Sequence, residues 1–376
     1  MNENLRERGE TTCMAQRDYP KTMSRTKHSR PTSNPRIPLV EMRLAHAAEE
    51  LPGQRILATT VGYAPAAHRL AAERFDAHVV CWILEACQAA RAANCEGASS
   101  RIEIRCQADC PEFPCDLALV PLYMNGTAEL ARDVLENVYC QLEVGGRLVV
   151  AIDNPRDKWV RQVVRGFSKS IKCMEFTDAL VYILVKQKPV KKLKDHRCQL
   201  AFRDAGKLIR LVTRPGVFSH RQLDNGARQL MDAVDASPSG RVLDLGCGSG
   251  AAALAVASRD PTTEVVALDS HARAVECTTH GAELNQLTNV STVLACAEFW
   301  TPDRKFDLVL ANPPYYGNDR LAEIFMTVAR RALRPSGQVV AVTKHPDWYR
   351  EHLSRWFINC RVIPSKRYFI ATGQVA

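Results

Sequence analysis

Long hydrophobic runs are missing from this chain. The longest apolar stretches, such as Leu117–Val120 and Leu148–Ile152, have only strand length. A bilayer-spanning helix needs about 20 apolar residues, so no membrane segment is expected. No apolar stretch follows the charged start Met1–Arg8. A secretory signal is therefore not read, and a cytoplasmic, reducing location is expected. Paired C-x-x-C spacing is missing as well. The densest of the 14 cysteines, Cys106, Cys110 and Cys115, have neither a second pair nor a nearby histidine. Zinc patterns complete four ligands with paired cysteines and either a second pair or histidines, so no metal is expected and the cysteines read as reduced, mostly buried thiols. Ser219, His220 and Asp224 invite a hydrolase reading, but the chain has no G-x-S-x-G elbow to present such a serine.

What remains is an ordinary globular composition, 46% hydrophobic and 24% charged, over 376 residues. That length exceeds one typical domain of roughly 100–200 residues. The net charge of +9 suits a polyanionic partner. Residues 1–40 are polar, rich in Arg, Lys, Ser, Thr and Pro, and read as a disordered basic tail. From residue 41 onward, strand-like and helix-like segments alternate, which argues for doubly wound, mostly parallel sheets. A run of cations from Lys186 to Arg197 around Pro189 marks the boundary. The expected organisation is a first domain over 41–190, a connector over 191–212 and a second domain over 213–376.

The two domains read as copies. Cys115-Asp-Leu-Ala-Leu-Val-Pro-Leu-Tyr aligns without gaps on Phe306-Asp-Leu-Val-Leu-Ala-Asn-Pro-Pro, and the register continues from Gly146 against Gly337. Upstream, the segment from Arg55 to Gly62 matches that from Arg241 to Gly248.

Two motifs in the second copy carry chemistry. In Val242-Leu-Asp-Leu-Gly-Cys-Gly-Ser-Gly250 a hydrophobic strand meets a glycine-rich turn and then a helix. Gly246, Gly248 and Gly250 permit a sharp turn and close approach of a ligand to the backbone. Asp244 can accept from a cationic amino group, and a carboxylate there would repel a pyrophosphate. The spacing also differs from the dinucleotide fingerprint. Cys247 reads as a small turn-filling residue. Nineteen residues past Gly250, Asp269 ends the next strand, where a carboxylate can take the ribose hydroxyls of a nucleoside. Asn312-Pro-Pro-Tyr315 follows strand Phe306–Ala311 on the same sheet edge. An exocyclic amino group on a base is a poor nucleophile because its lone pair is delocalised. The Asn312 side-chain oxygen and the Pro313 carbonyl can each accept one N–H and aim that lone pair. Pro313 and Pro314 stiffen the turn, and Tyr315 offers a face on which a base can stack. The sequence alone assigns no partner to His345 or Asp347, and they read as surface or capping residues.

With both motifs placed, and with Arg214-Pro-Gly-Val-Phe-Ser219 and Leu223-Asp-Asn-Gly226 before them, the chain resembles the ribosomal RNA guanine-N2 methyltransferases of the RsmC and RlmG type. The resemblance runs from about residue 45 to the C-terminus. It implies an α/β fold of two tandem Rossmann-like class I methyltransferase domains, a degenerate N-terminal copy and a catalytic C-terminal copy. It implies S-adenosylmethionine as cofactor, held by Asp244, Gly246, Cys247, Gly248, Gly250, Asp269, Ser270, Ala297 and Glu298, with Asn312, Pro313, Pro314 and Tyr315 as the catalytic set. Ribosomal RNA or a ribosomal subunit is the implied partner, with the N-terminal half and the 186–197 cations engaging RNA, and a monomer is expected. In the first copy Asp244 is matched by Ala58, Gly246 by Thr60, Gly250 by Ala64, Asp269 by Ile83 and Asn312-Pro-Pro by Pro121-Leu-Tyr. The second copy departs from the family where Tyr315 replaces a usual phenylalanine, and where Ala297 and Glu298 stand near the adenine in place of a usual Asn or Asp. Adenine N6, a protein glutamine amide, or a non-catalytic role in ribosome assembly are the rival readings.

Overall fold

A computed structural model of the chain describes residues 37–95, 99–190, 193–234, 240–314 and 319–376. The first 36 residues of the expected tail, and Tyr315, lie outside the described residues. The N-terminal half runs α1 (Leu39–Ala48), β1 (Arg55–Thr59), α2 (Pro65–Glu73), β2 (His78–Ile83), α3 (Ala86–Asn94), β3 (Ile102–Cys106), β4 (Cys115–Leu122), α4 (Ala128–Gln141), β5 (Leu142–Ile152), α5 (Trp159–Phe167), β6 (Ile171–Glu175) and β7 (Leu180–Val185). Next comes a hairpin of β8 (Cys198–Asp204) and β9 (Lys207–Thr213). The C-terminal half runs α6 (Asn225–Asp232), β10 (Arg241–Leu245), α7 (Ala251–Arg259), β11 (Glu264–Asp269), α8 (Ala272–Leu284), β12 (Val290–Leu294), β13 (Phe306–Ala311), α9 (Arg320–Ala332), β14 (Leu333–Thr343), α10 (Pro346–His352), a 3₁₀ turn over Leu353–Arg355, β15 (Ile358–Ser365) and β16 (Tyr368–Gln374).

Each half forms one seven-stranded sheet, and the two sheets share a single topology. The orders are β3-β2-β1-β4-β5-β7-β6 and β12-β11-β10-β13-β14-β16-β15. Five strands of each are parallel, and the last two join antiparallel. The tandem α/β reading is thus borne out. Central strands are buried on both faces, as parallel sheets require, and β10 is buried along Val242–Leu245. Helix α7 is apolar all round, its Ala251–Ala257 stretch wholly buried, which fixes it between the sheet and the hairpin. Strand order reverses at β10, so the carboxyl ends of β10 and β13 open the crevice in which such folds bind ligands.

Three segments differ from the sequence reading. The expected connector contains the β8–β9 hairpin, turned by Ala205 and Gly206 at φ 44° and 81°, the paired positive angles of a tight hairpin. It docks on the C-terminal half, where Asn285 accepts from Arg210 N–H at 2.9 Å and donates to Arg210 O at 2.7 Å. Helix α6 starts at Asn225-Gly226, in a stretch to which the sequence reading assigns no element. Its formation rests on Asp224, whose carboxylate accepts from Ala227 N–H at 2.8 Å, an N-cap. Finally, Lys186 is buried. Its ammonium donates to the carbonyls of Tyr139, Cys140 and Leu142 at 3.0, 2.9 and 2.5 Å, closing the C-terminus of α4. It cannot serve as the RNA contact expected of the cation run.

Candidate active site

The glycine turn after β10 has the conformation its residues imply. Gly246, Gly248 and Gly250 sit at φ 75°, 56° and 79°, a left-handed region costly for any residue with a Cβ. Crowding adds to the demand at two of them. A Cβ on Gly246 would lie 2.9 Å from Phe325, and one on Gly250 2.7 Å from Thr278, whereas one on Gly248 would point into open space. Gly248 therefore lines the crevice. Asp269 closes the turn from the next strand, its Oδ2 accepting from Gly248 N–H at 2.9 Å and its Oδ1 from His271 N–H at 2.8 Å. Burial raises its pKa.

Asp244 lies deeper than the motif suggested. Its Oδ2 accepts from Ala253 N–H at 3.0 Å, capping the first turn of α7, and burial pushes its pKa up to about 7. Cys247 is buried with its sulfur 3.5 Å from Thr278 Oγ1. Burial pushes that thiol far above the ordinary range, which suits the turn-filling role and leaves no nucleophile. Ala297 and Glu298 lie in the loop after β12, tied down by Arg331, which donates to both carbonyls.

Asn312 directly follows β13 beside this turn, since β10 and β13 are neighbours with Leu245 opposite Ala311. Sequence reasoning missed what orients it. Asn312 Nδ2 donates to Asp224 Oδ2 at 2.7 Å, which turns the amide oxygen away from Asp224. The same carboxylate oxygen caps α6, so one atom fixes both the helix and the asparagine. The discarded Ser-His-Asp grouping supplied the clue. Asp224 is bound to Asn312, while His220 Nδ1 pairs with Thr213 Oγ1 at 2.9 Å, so no hydrolytic triad forms. Pro313 is buried and Pro314 half-buried. Among the described residues no group of three or more His, Cys, Asp or Glu side chains could hold a metal ion, and no helix is long and apolar enough to cross a membrane.

The corresponding turn of the N-terminal half is closed. Ala64 adopts the left-handed angle, φ 64°, at the position of Gly250, at a cost of roughly 1 kcal/mol that a glycine would not incur. Glu41 of α1 fills the space beneath. Its Oε1 accepts from Thr60 Oγ at 2.5 Å and from Val61 N–H at 3.1 Å, and its Oε2 accepts from Ala66 N–H at 3.4 Å. A Cβ on Gly62, the counterpart of Gly248, would meet Pro38 at 3.1 Å.

The N-terminal half also clamps the residues around the C-terminal crevice. Arg273 of α8, wholly buried, donates to Asp133 Oδ2 at 2.5 Å, to Ala108 O at 3.1 Å and to Pro215 O at 2.8 Å. Arg214 pairs with Asp109 at 2.8 Å and with Glu276. Arg221 bonds Glu129 at 2.9 Å. A disulfide joins Cys87 to Cys296 across 209 residues, which corrects the expectation of reduced thiols for that pair.

Residues 208–372 match the methyltransferase small domain. Among the relatives of this chain is the ribosomal RNA small subunit methyltransferase C of Pseudoalteromonas atlantica, 26% identical over 66% of this chain and 74% of that protein. Another is the ribosomal RNA large subunit methyltransferase G of Shewanella amazonensis, 31% identical over 43% of this chain and 44% of that protein. The chain thus spans less than half the length of the second. The T. thermophilus 16S rRNA N2 methyltransferase RsmC, solved with AdoMet and guanosine, superposes with a TM-score of 0.74 at 22% identity, covering 90% of this chain and 92% of that one. That likeness extends the shared fold over both halves, and the resemblance drawn from the motifs is borne out.

Proposed function

We propose that this protein binds S-adenosylmethionine in the crevice between β10 and β13 and methylates the exocyclic N2 amino group of a guanine in ribosomal RNA. The observation that carries the reading is the Asn312–Asp224 hydrogen bond beside the glycine turn. The residues fit the cofactor. Gly248 leaves room that any side chain would fill, and Asp269 is pinned by two backbone N–H groups at the strand tip, placed to receive ribose hydroxyls. Bound there, S-adenosylmethionine supplies an electrophilic methyl group on a sulfonium. The protein's own work is to hold the acceptor. Asp224 takes one N–H of the Asn312 amide, which fixes the direction in which the amide oxygen accepts. The Pro313 carbonyl would take the other N–H of the amino group. Together they aim the nitrogen lone pair, and positioning of this kind supplies much of the rate in a direct transfer. Tyr315 is proposed as the stacking face for a guanine turned out of its stack.

The N-terminal copy is proposed as non-catalytic, since Glu41 and Pro38 occupy the space a cofactor would need. Its α5 region offers a surface for phosphates. Arg156, Lys158, Arg161, Arg165, Lys169 and Lys172 are all exposed, and among the described residues none forms an ion pair with an acid. Arg197, by contrast, is taken up by Glu276 and Asp109. Binding through α5 predicts a steep loss of RNA affinity with salt. The test of function is nucleoside mass spectrometry of rRNA from cells lacking the gene, before and after incubation with pure protein and labelled S-adenosylmethionine. Label in N2-methylguanosine, absent with Asn312→Ala, is the expected result. Label in N6-methyladenosine or in protein refutes the assigned acceptor.

A further inference from the structure

We propose that Glu85, from the N-terminal half, accepts the 6-amino group of the adenine when S-adenosylmethionine is bound, so that the non-catalytic copy completes the cofactor site; this rests on the cofactor reading above. The loop after β12 lies against the same strand end, with Ala295 N–H donating to Asp269 O at 3.1 Å, so a nucleoside whose ribose met Asp269 would set its base between Ser270 and that loop. That loop offers the base little. Ala297 has no polar side-chain atom, and the carbonyls of Ala297 and Glu298 are turned to Arg331 at 2.8 and 3.2 Å.

Glu85 reaches the same place from the other half. Its Oε2 accepts from Ser270 Oγ at 2.7 Å. The backbone around it is stitched to the C-terminal half, with Ala86 N–H donating to Ser270 O and Ala272 N–H to Leu84 O, both at 2.7 Å, and Glu85 bridging His271. Two residues on, Cys87 is bonded to Cys296, the residue before Ala297. The carboxyl is therefore fixed both to the strand end that carries Asp269 and to the loop that would flank the base. It is half-buried, and among the described residues Ser270 is its one hydrogen-bond partner and no cation pairs with it. Burial, with Asp269 nearby, pushes its pKa up to about 7 against the Ser270 bond. A carboxyl so placed lacks donors. A purine amino group supplies one, and a purine without it does not.

The test is calorimetric binding of S-adenosylhomocysteine and its 6-deamino analogue to the full chain, with no turnover involved. The wild type is expected to prefer the amino ligand. In Glu85→Leu that preference falls about tenfold or more, the worth of a hydrogen bond to a charged or partly charged acceptor. In Glu85→Gln, which keeps an oxygen in place, most of it survives. Preference unchanged in Glu85→Leu overturns the proposal, and so does an equal loss for both ligands, which would mark packing alone. If thermal melting shows that Glu85→Leu does not fold, Glu85→Asp replaces it. Its retracted carboxyl should lose part of the preference, and full retention counts against the contact. If the wild type binds neither ligand, the cofactor reading falls and the Glu85 contact with it. If it binds both equally, only the Glu85 contact falls.

Discussion

Asp224 joins two functions in one oxygen, and they can be separated by substitution. Its Oδ2 accepts from Ala227 N–H at 2.8 Å and from Asn312 Nδ2 at 2.7 Å. Loss of an N-cap costs about 0.5–2 kcal/mol of stability. Loss of a charge-assisted hydrogen bond costs about 1.5–3 kcal/mol, and here that loss falls on the orientation of Asn312. Asp224→Ala removes both and should lower the melting temperature as well as the rate. Asp224→Ser is the informative variant. Serine is a good N-cap, but its hydroxyl is one bond shorter and cannot reach Asn312. We expect Asp224→Ser to fold with near wild-type stability while kcat for rRNA methylation drops about 10- to 100-fold, as 1.4 kcal/mol per factor of ten implies. KM for RNA should change little, because phosphate contacts dominate that affinity. Asp224→Asn keeps an oxygen acceptor and should lose less than about tenfold, since a neutral acceptor is about half as strong as an ionised one. The assay is single-turnover transfer of labelled methyl to rRNA beside urea denaturation of each variant. Wild-type kcat in Asp224→Ser would refute the claim that this carboxylate aims Asn312.

Two further outcomes follow from the interface between the halves. Arg273→Met strands the buried Asp133, and breaking a buried pair from one side costs about 3–5 kcal/mol; Arg273→Met with Asp133→Leu should recover most of that loss, and a single-mutant cost below about 1 kcal/mol in urea denaturation would show the pair to be slack. Glu85 gives a pH dependence, because its folded pKa, about 7, stands above the ordinary 4.5. A raised carboxyl pKa means that its favourable contribution is complete below 4.5 and is lost as pH rises through about 7. In ligand-free protein Glu85→Gln should thus be more stable than wild type at pH 8 by about 1–2 kcal/mol. That figure is discounted for partial exposure from the roughly 1.4 kcal/mol that each tenfold change in proton affinity is worth. The gap should close as pH falls toward 4.5, and a gap independent of pH would exclude Glu85 as its source.

How much of this was legible in the chain depends on the range over which each feature is determined. The glycine turn was readable because a strand, three residues without side chains and a helix sit within one short segment, and the left-handed angles at Gly246, Gly248 and Gly250 are what those residue types permit. The duplicated topology was readable for a similar reason: β4 and β13 begin where Cys115 and Phe306 align. Features joining distant residues were not. Nothing near Cys87 or Cys296 announces a pair 209 residues apart, and reading thiols by spacing alone gave the wrong state for both. Asp224 and Asn312 are 88 positions apart, so Asp224 could be judged only against its neighbours Ser219 and His220, where it suggested a triad that does not form. The cation run misled because charge was counted without burial, and Lys186 turns its ammonium onto helix carbonyls. The same limit applies to the first copy. Matching residues revealed what it had lost, namely the equivalents of Asp244, Gly246, Gly250 and Asp269. Only the fold reveals what it gained, with Glu41 filling its own vacated turn and Glu85 and Asp133 reaching into the other half. On the proposed reading the first copy does not catalyse, so its own turn is under no such demand, whereas residues facing the other half are held by packing against it. The contacts of the N-terminal half with the working crevice are therefore where its remaining function should be sought.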